Sequence, residues 1–356
     1  MLRPRRLAVL SLVCVIFVTL WISDTDVNNT LYRLWYFNGF PNSSESVQIA
    51  CYYDKSANSF PQLYSDDVQP DGSIFFLETS CHDKSRSALT PRQACAVESA
   101  AKMNPDADVY VLFPSPVTDN SSALSVGVQQ LLTYNNIKLR HVSMDEYFRD
   151  TPLDQWYSSG MLRTSRWPMS HASDVLRYIT LWKFGGIYLD LDVVVTKRLS
   201  NLVNFAGAES SEDVAAGVLS FSRHGVGHEL AAACVHQLRR DFRGYDWGHN
   251  GPGIITNVLQ DACQTNNVIK MTPDRCKGFT VFPPRAFYPI PWRQWQLYFN
   301  STRSTETLRK VLGSYAIHVW NKFSSSANVT VGSNQPYGVV ASQFCPRVYS
   351  SVGSVF

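Results

Sequence analysis

The stretch Phe184-Gly-Gly-Ile-Tyr-Leu-Asp-Leu-Asp192 decides the fold of this 356-residue chain. Residues 173–184, which lead into it, carry apolar side chains at the spacing of a helix. Gly185 and Gly186 can adopt the positive φ that ends a helix. Residues 187–195 are aliphatic and β-branched, which is typical of a buried strand. The stretch therefore predicts a helix, a glycine turn and a strand in direct succession.

Two acidic residues, Asp190 and Asp192, stand in the predicted strand. Because strand side chains alternate between faces, we expect both on one face together with Tyr188. Neighbouring carboxylates repel each other, so the pair favours a bound cation, and hard oxygen ligands suit Mg²⁺ or Mn²⁺. An isolated D-x-D is usually a solvated pair at a strand end. The case for a metal rests on the helix, diglycine and strand around it.

The first residues of the chain predict a membrane anchor. Residues 1–6 contain three arginines, and residues 7–22 form an uncharged apolar run. Because Lys and Arg mark the cytosolic side of a span, we expect a cytosolic tail at 1–6, a signal-anchor at 7–22 and a luminal remainder. A cleaved signal peptide is the competing interpretation, although no small-x-small site follows the run cleanly. Residues 23–45 are predicted as a stem and residues 46–356 as the folded domain.

Sequons and cysteines agree with a luminal location. The five Asn-x-Ser/Thr sequons lie at Asn28, Asn42, Asn120, Asn300 and Asn328. Seven of the eight cysteines follow the apolar run, so at least one stays unpaired within the chain. Cys263 and Cys276 are the most plausible local pair. No C-x-x-C occurs, which argues against a thiolate zinc site, and the net charge of +3 gives no indication of a nucleic-acid partner.

The first part of the domain alternates between strands and helices. Strands are predicted at 73–80, 108–113 and 137–142, and helices at 91–104 and 124–134. This alternation predicts an α/β fold with a mostly parallel, Rossmann-like sheet flanked by helices. Such sheets bind ligands beyond the carboxyl ends of their strands, and Asp190 and Asp192 lie toward such an end.

Further polar residues become candidates through their positions. Asp174 and Arg177 share one face of the predicted helix, so both side chains could line one cavity. The alternative without a function is a surface ion pair worth ~0.3 kcal/mol. A late predicted strand, 315–322, carries His318 and Lys322. His318 is a candidate metal ligand only if the fold brings it to Asp192.

Taken together, these motifs resemble the alpha-1,4-glycosyltransferases. The resemblance runs in one order from residue 73 to residue 346 and is carried by residues 75–80, 148–152, 182–190, 247–249, 286–292 and 318–322. It implies a GT-A-type fold, a UDP-sugar donor, a Mn²⁺ (or Mg²⁺) ion and a single-pass type II protein of the Golgi membrane.

The resemblance also implies roles by position. Asp190, Asp192 and His318 would hold the metal on the donor diphosphate. The implied donor-binding residues are Asp174, Arg177, Tyr188, Thr79 and Lys322. The catalytic candidates are Asp190, Asp192, Asp246 and Asn250, where Asn250 stands in place of a Gln in relatives. Ala215-Ala-Gly-Val218 replaces Asn-Gly-Ala-Phe, which loses a carboxamide.

The expected activity is retaining α1,4-transfer of galactose or N-acetylgalactosamine to the terminal sugar of a glycosphingolipid. In a front-face reaction the departing phosphate would take the acceptor proton. A double displacement would instead require a carboxylate at the anomeric carbon, with Asp246 as the candidate. One alternative is transfer of N-acetylglucosamine to glycoprotein glycans. Another is a non-catalytic, lectin-like membrane protein on the same fold.

Overall fold

The computed structural model describes residues 49–54, 59–81, 89–117 and 124–356. The predicted tail 1–6, anchor 7–22 and stem 23–45 lie outside these residues, as do Asn28, Asn42 and Asn120. Across the described ranges, the helices are too short or too polar to cross a membrane.

Most strands of the described residues join one mixed sheet. The strands are β1 Ser73–Leu77, β2 Asp108–Phe113, β3 Ile137–His141, β4 Gly186–Leu189, β5 Val193–Val195, β6 Phe205–Ala208, β7 Val214–Phe221, β8 Thr280–Phe282 and β9 Ala316–His318. Seven of them form the main sheet, in the order β3-β2-β1-β4-β7-β6-β8. Within it β7 pairs antiparallel with β4 and β6, and the other pairs are parallel. The predicted mostly parallel sheet is confirmed.

Helices cover both faces of this sheet. They are α1 Pro91–Met103, α2 Val126–Leu131, α3 Met144–Phe148, α4 Asp154–Ser158, α5 Pro168–Phe184, α6 Gly225–Arg240, α7 Ile254–Cys263, α8 Ser304–Val311, α9 Asn321–Ser324, α10 Pro336–Phe344 and α11 Pro346–Ser351. One core contains residues of α1, α10 and α11, and the other contains residues of α5, α6 and α7. Along β1, Ile74 and Phe76 enter the first core, whereas Phe75 and Leu77 enter the second. This alternation buries every residue of β1.

The junction of α5 and β4 has the predicted form. Gly185 has φ of 67° and Gly186 has φ of 89°, so both occupy the region that favours glycine. A Cβ on Gly186 would lie 2.4 Å from the carbonyl oxygen of Ser73 in β1. The helix therefore turns directly into a strand that lies against β1. The helix itself begins earlier than predicted, at Pro168.

The prediction of one strand over 187–195 was wrong. β4 ends at Leu189, and β5 begins at Val193 and pairs antiparallel with β9 in a separate sheet. The break is a turn in which the Asp190 amide donates to the Gly217 carbonyl and the Val193 amide donates to the Asp190 carbonyl. Both halves are aliphatic and therefore equally typical of a strand, although β4 pairs with β1 and β7 and β5 pairs with β9. The two acids thus stand on a turn rather than on one strand face.

Three other elements are shorter than expected by more than one residue. The strand predicted at 73–80 ends at Leu77, because the polar residues Glu78 to Ser80 leave the sheet. The helix predicted at 124–134 covers Val126–Leu131, and the strand predicted over 315–322 ends at His318 and is followed by α9.

The cysteine predictions are confirmed. Cys263 pairs with Cys276, and the chain also forms the disulfides Cys51–Cys81 and Cys95–Cys345. Cys234 remains a free, buried thiol. Of the sequons that the structure describes, Asn328 is exposed, whereas the Asn300 side-chain oxygen accepts hydrogen bonds from Thr302.

Candidate active site

A cavity of about 450 Å³ opens at the carboxyl ends of β1 and β4. Glu78 to Ser80 follow β1 and line one side, while Asp190 to Asp192 follow β4 and line the floor. Residues of α1, α5, β7, β9 and α9 and of several loops line the rest of the cavity. A second cavity, of about 720 Å³, lies around Trp182, Arg223 and His228. The acidic pair lies in the first cavity, so we assign the site there.

Three potential metal ligands converge on the floor of the cavity. The ligand atoms of Asp190, Asp192 and His318 all lie within 4.8 Å of one another. His318 Nε2 is 3.2 Å from Asp192 Oδ1 and 3.8 Å from Asp190 Oδ2. The pairing of β5 with β9 brings them together, because Val193 stands opposite His318 in the register. The condition that made His318 a ligand candidate is therefore fulfilled.

The second oxygen of each carboxylate is held by a neighbour. The Tyr188 hydroxyl donates to Asp190 Oδ1 at 2.7 Å, and the Asn321 amide donates to Asp192 Oδ2 at 2.8 Å. Asp190 Oδ2 and Asp192 Oδ1 are the oxygens nearer to His318. Outer hydrogen bonds of this kind orient metal ligands.

The space around the cluster also suits an ion. A Cβ on Gly217 would lie 2.7 Å from Asp190 Oδ2 and 3.3 Å from His318 Cδ2, so only glycine leaves the carboxylate undisturbed. Two carboxylates and one imidazole are a donor set that Mn²⁺ accepts. The residues present therefore fit a divalent ion.

Arg177 is the electrostatic centre of the neighbouring wall. Its Nη1 donates to the Ala216 carbonyl at 2.9 Å and lies 3.3 Å from Asp190 Oδ1. Its Nη2 is 3.0 Å from Asp174 Oδ1, and the guanidinium lies 4.8 Å from the centre of the Tyr188 ring. Asp174 and Arg177 are both buried, so the alternative of a surface ion pair was wrong.

Burial and charge set the ionisation of these groups. Burial raises the pKa of Asp174 to about 7; the nearby Asp190 adds to this, while Arg177 and Lys322 oppose it. For Asp190, burial is outweighed by the charge of Arg177, by that of the nearby His318 and by the hydrogen bond from Tyr188, so its pKa is lowered. Burial would lower the pKa of His318, but Asp192 and Asp190 raise it overall. The site thus keeps Asp190 ionised beside Arg177.

Lys322 and Thr79 lie on other parts of the cavity wall. The Lys322 ammonium lies 3.2 Å from the centre of the Trp247 ring, and both side chains line the cavity. Thr79 also lines it, and its carbonyl accepts a hydrogen bond of 2.5 Å from the Tyr52 hydroxyl. The predicted donor-binding residues Asp174, Arg177, Tyr188, Thr79 and Lys322 therefore surround one cavity.

In the loop after α6, the predicted catalytic candidates Asp246 and Asn250 are not among the residues that line the cavity. Asn250 is fully buried, and its carboxamide exchanges two hydrogen bonds of 2.9 Å with the backbone of Arg243. The Asp246 carboxylate accepts from the Gly248 amide at 3.2 Å. Trp247 and Pro252 supply this loop's share of the cavity lining.

Among the lining residues that sequence reasoning missed are Ser173, Glu209 and Tyr288. Glu209 stands in the turn between β6 and β7 with two other acidic residues, Glu212 and Asp213, and nothing local singles it out. Tyr288 lies in an aromatic-rich segment that equally predicts core packing. Ser173 is one residue before Asp174, and its hydroxyl contacts Arg177 Nη2 at 3.1 Å. Helix spacing from Arg177 would have pointed to it.

Two family models match the chain. Residues 90–210 match a glycosyltransferase sugar-binding region containing a DXD motif. Residues 223–352 match an alpha 1,4-glycosyltransferase conserved region. The two matches contain all three members of the metal cluster.

Curated relatives match most of the chain. The lactosylceramide 4-alpha-galactosyltransferase of Mus musculus is 34% identical over 319 residues, covering 89% of this chain and 85% of that protein. The Homo sapiens protein of the same name is 35% identical, covering 79% and 77%. The alpha-1,4-N-acetylglucosaminyltransferase of Homo sapiens is 30% identical, covering 78% and 79%.

Solved structures give a more distant likeness. The galactosyltransferase LgtC, in complex with donor and acceptor sugar analogs, is 16% identical with a TM-score of 0.36, covering 78% of this chain and 95% of that one. The PaToxG glycosyltransferase is 13% identical with a TM-score of 0.39, covering 82% and 100%. Likeness at this level does not bear on function.

A mixed α/β fold whose acidic cluster falls within a DXD glycosyltransferase region defines the class: this is a glycosyltransferase. The curated relatives define a narrower family within this class. With relatives of 34% and 35% identity over most of their length, the chain belongs to the alpha-1,4-glycosyltransferases.

Proposed function

We propose that this protein is a retaining α1,4-glycosyltransferase of GT-A type. It moves galactose or N-acetylgalactosamine from a UDP-sugar to the terminal sugar of a glycosphingolipid, as a type II protein of the Golgi membrane. The observation that carries the proposal is the convergence of Asp190, Asp192 and His318 beside the buried pair of Asp174 and Arg177. The names of the relatives of 34% and 35% identity support galactosyl transfer to a glycolipid.

The residues divide into a diphosphate side and a sugar side. When bound at Asp190, Asp192 and His318, Mn²⁺ supplies positive charge that stabilises a departing diphosphate. Lys322, which also lines the cavity, adds a second positive charge, since developing negative charge is best stabilised by preorganised groups.

On the sugar side, Asp174 accepts hydrogen bonds from donor hydroxyls. Arg177 holds Asp174 in place, and the Tyr188 hydroxyl keeps Asp190 oriented. Thr79, which also lines the cavity, contacts the donor nucleotide.

The proposed reaction exchanges one bond to the anomeric carbon for another on the same face. The bond to the β-phosphate oxygen breaks, the bond to the acceptor hydroxyl oxygen forms, and the departing phosphate takes the hydroxyl proton. Asp246 is not among the residues that line the cavity, and its carboxylate accepts a hydrogen bond from the Gly248 amide, which supports this front-face course over a double displacement through Asp246. Asn250 then acts by bracing the loop that carries Trp247.

N-Acetylglucosamine transfer is the second candidate, favoured by the relative of 30% identity. A panel of UDP-galactose, UDP-N-acetylgalactosamine and UDP-N-acetylglucosamine, offered with lactosyl and N-acetyllactosaminyl acceptors and Mn²⁺, separates the two. We expect α1,4-linked product from at least one of the first two donors, loss of turnover with EDTA and recovery with added Mn²⁺. Product from UDP-N-acetylglucosamine alone would contradict the proposal.

The role of the metal cluster can be tested by replacing one carboxylate oxygen among its ligands. We expect Asp192→Asn to lower kcat/KM for the donor by about 10³-fold, because the metal contributes several kcal/mol of charge stabilisation. Asp106→Asn is the matched control, since Asp106 pairs with Arg198 on the exposed surface. Unchanged turnover in Asp192→Asn would show that this site is not the catalytic one. Wild-type protein that binds sugar but turns over no UDP-sugar would instead favour the lectin-like alternative.

A further inference from the structure

Arg92, the second residue of α1, is a buried arginine near the site but outside the cavity lining. Its guanidinium donates to α9 through three hydrogen bonds. Nη1 donates to the Ser324 carbonyl at 2.7 Å, and Nη2 donates to Asn321 Oδ1 and to Ser324 Oγ, both at 2.6 Å. The first and last residues of α9 are thus held by one side chain more than 200 positions away, since the separations are 229 and 232 residues.

The element held in this way supplies two parts of the site. The Asn321 backbone amide donates to Asp192 Oδ2, and Lys322 reaches into the cavity against Trp247. A four-residue helix has little stability of its own, because helix nucleation is unfavourable. The position of Lys322 therefore depends on the tertiary contacts of α9.

The guanidinium is itself fixed by aromatic rings. It lies 5.3 Å from the ring centre of Phe299 and 5.2 Å from that of Tyr337. Cation–π contacts of this kind hold a guanidinium plane in one orientation. Lys cannot reproduce the arrangement, because an ammonium lacks the planar fork that reaches three acceptors together.

The neighbouring residue braces the other wall of the cavity. Gln93 Nε2 donates to Glu78 Oε2 at 2.5 Å, and Glu78 Oε1 accepts from the Ser80 amide at 2.8 Å. Thr79 lies between these two anchored residues. The first turn of α1 therefore contacts both the segment that carries Thr79 and helix α9, which carries Lys322.

We propose that Arg92 is a positioning residue for sugar transfer. It fixes α9 so that Lys322 and the Asn321 amide face the acidic cluster, and it acts through them without touching the substrate. The inference rests on the proposed function, because it assigns Lys322 to the donor diphosphate.

The test compares Arg92→Met, Arg92→Lys and Asn321→Ala in the purified full-length protein. We expect Arg92→Met to lower kcat/KM for the UDP-sugar about 10²-fold, the typical effect of misplacing a catalytic group by an ångström. UDP with Mn²⁺, measured by calorimetry, should bind correspondingly more weakly, while the acceptor KM stays within about twofold. Arg92→Lys should recover only part of the lost kcat/KM, because an ammonium lacks the planar guanidinium group.

Arg347→Met is the control for loss of a structural arginine. Arg347 donates to the Thr133 carbonyl and hydroxyl and lies 4.3 Å from the ring centre of Tyr134, away from the cavity. We expect it to change Tm without changing UDP affinity. If Arg92→Met and Arg92→Lys lower Tm but leave UDP affinity and kcat/KM at the wild-type values, Arg92 is only structural and the inference is overturned.

Asn321→Ala keeps the inference testable if Arg92→Met does not fold, since it removes one acceptor of the fork and leaves the core intact. We expect the losses of kcat/KM caused by Asn321→Ala and by Arg92→Lys to be non-additive in the double variant, as is usual for residues that share one contact. Additive effects would contradict the inference. Wild-type protein that binds UDP but transfers no sugar would refute the proposed function alone, because UDP affinity still reports on Arg92.

Discussion

At the scale of single residues, the site depends on how the oxygens of Asp190 and Asp192 are shared. One oxygen of each accepts a hydrogen bond from a fixed donor, and the other lies nearer to His318. Such division orients carboxylates before an ion binds. The arrangement tolerates no added atom at Gly217, whose Cβ would approach one of these oxygens.

Gly217→Ala should therefore damage the metal site more than the fold. A Cβ 2.7 Å from Asp190 Oδ2 forces that carboxylate to move, while the backbone of β7 can stay in place. We expect the Mn²⁺ concentration for half-maximal turnover to rise and kcat/KM to fall about 10²-fold, the usual effect of a displacement near an ångström. Turnover measured across a Mn²⁺ series, with Tm alongside, checks both expectations.

Gly313→Ala is the matched substitution, because a Cβ there would meet no atom within 4 Å. It should leave turnover and its Mn²⁺ dependence at the wild-type values. An unaltered Mn²⁺ series in Gly217→Ala would mean that Asp190 Oδ2 does not contact the ion.

At the scale of elements, the sequence was informative where the signal is local. The helix, diglycine and β4 follow from spacing and glycine chemistry, and the structure confirms them. The split of 187–195 into β4 and β5 could not be predicted, because the Gly217 carbonyl that takes the Asp190 amide belongs to another strand. The approach of His318 to Asp192 likewise depends on the pairing of β5 with β9, 125 residues apart between Val193 and His318.

Gly186→Ala tests the junction between α5 and β4. A Cβ there would lie 2.4 Å from the Ser73 carbonyl, which belongs to the backbone of β1 and cannot turn aside. We expect a loss of roughly 3 kcal/mol in the free energy of unfolding, from positive φ and overpacking together. Urea denaturation followed by circular dichroism measures this loss.

Gly225→Ala separates the two causes. Gly225 also has positive φ, at 62°, but a Cβ there would meet no atom within 4 Å. Its loss should be about 1 kcal/mol, from backbone strain alone. Equal losses at the two positions would mean that the approach of β4 to β1 is not what requires glycine at 186.

At the scale of the whole molecule, disulfides join segments that the sequence keeps far apart. Local spacing indicated Cys263–Cys276, but it carried no information on Cys95–Cys345, which spans 250 residues. Cys95 lies in α1, and Cys345 lies between α10 and α11. The bond therefore ties the helix that carries Arg92 to the C-terminal helices of the same core.

Removal of Cys95–Cys345 should destabilise the protein more than removal of Cys263–Cys276. In the chain-entropy model, closing a loop of 250 residues contributes roughly 5 kcal/mol and closing one of 13 contributes about 3 kcal/mol. All four cysteines are at most 1% exposed, so paired Cys→Ala variants leave comparable packing defects. We expect the Cys95→Ala/Cys345→Ala variant to have the lower Tm in calorimetry of the purified proteins. The reverse order would show that strain or residual structure in the unfolded chain, rather than loop length, sets the contribution of each bond.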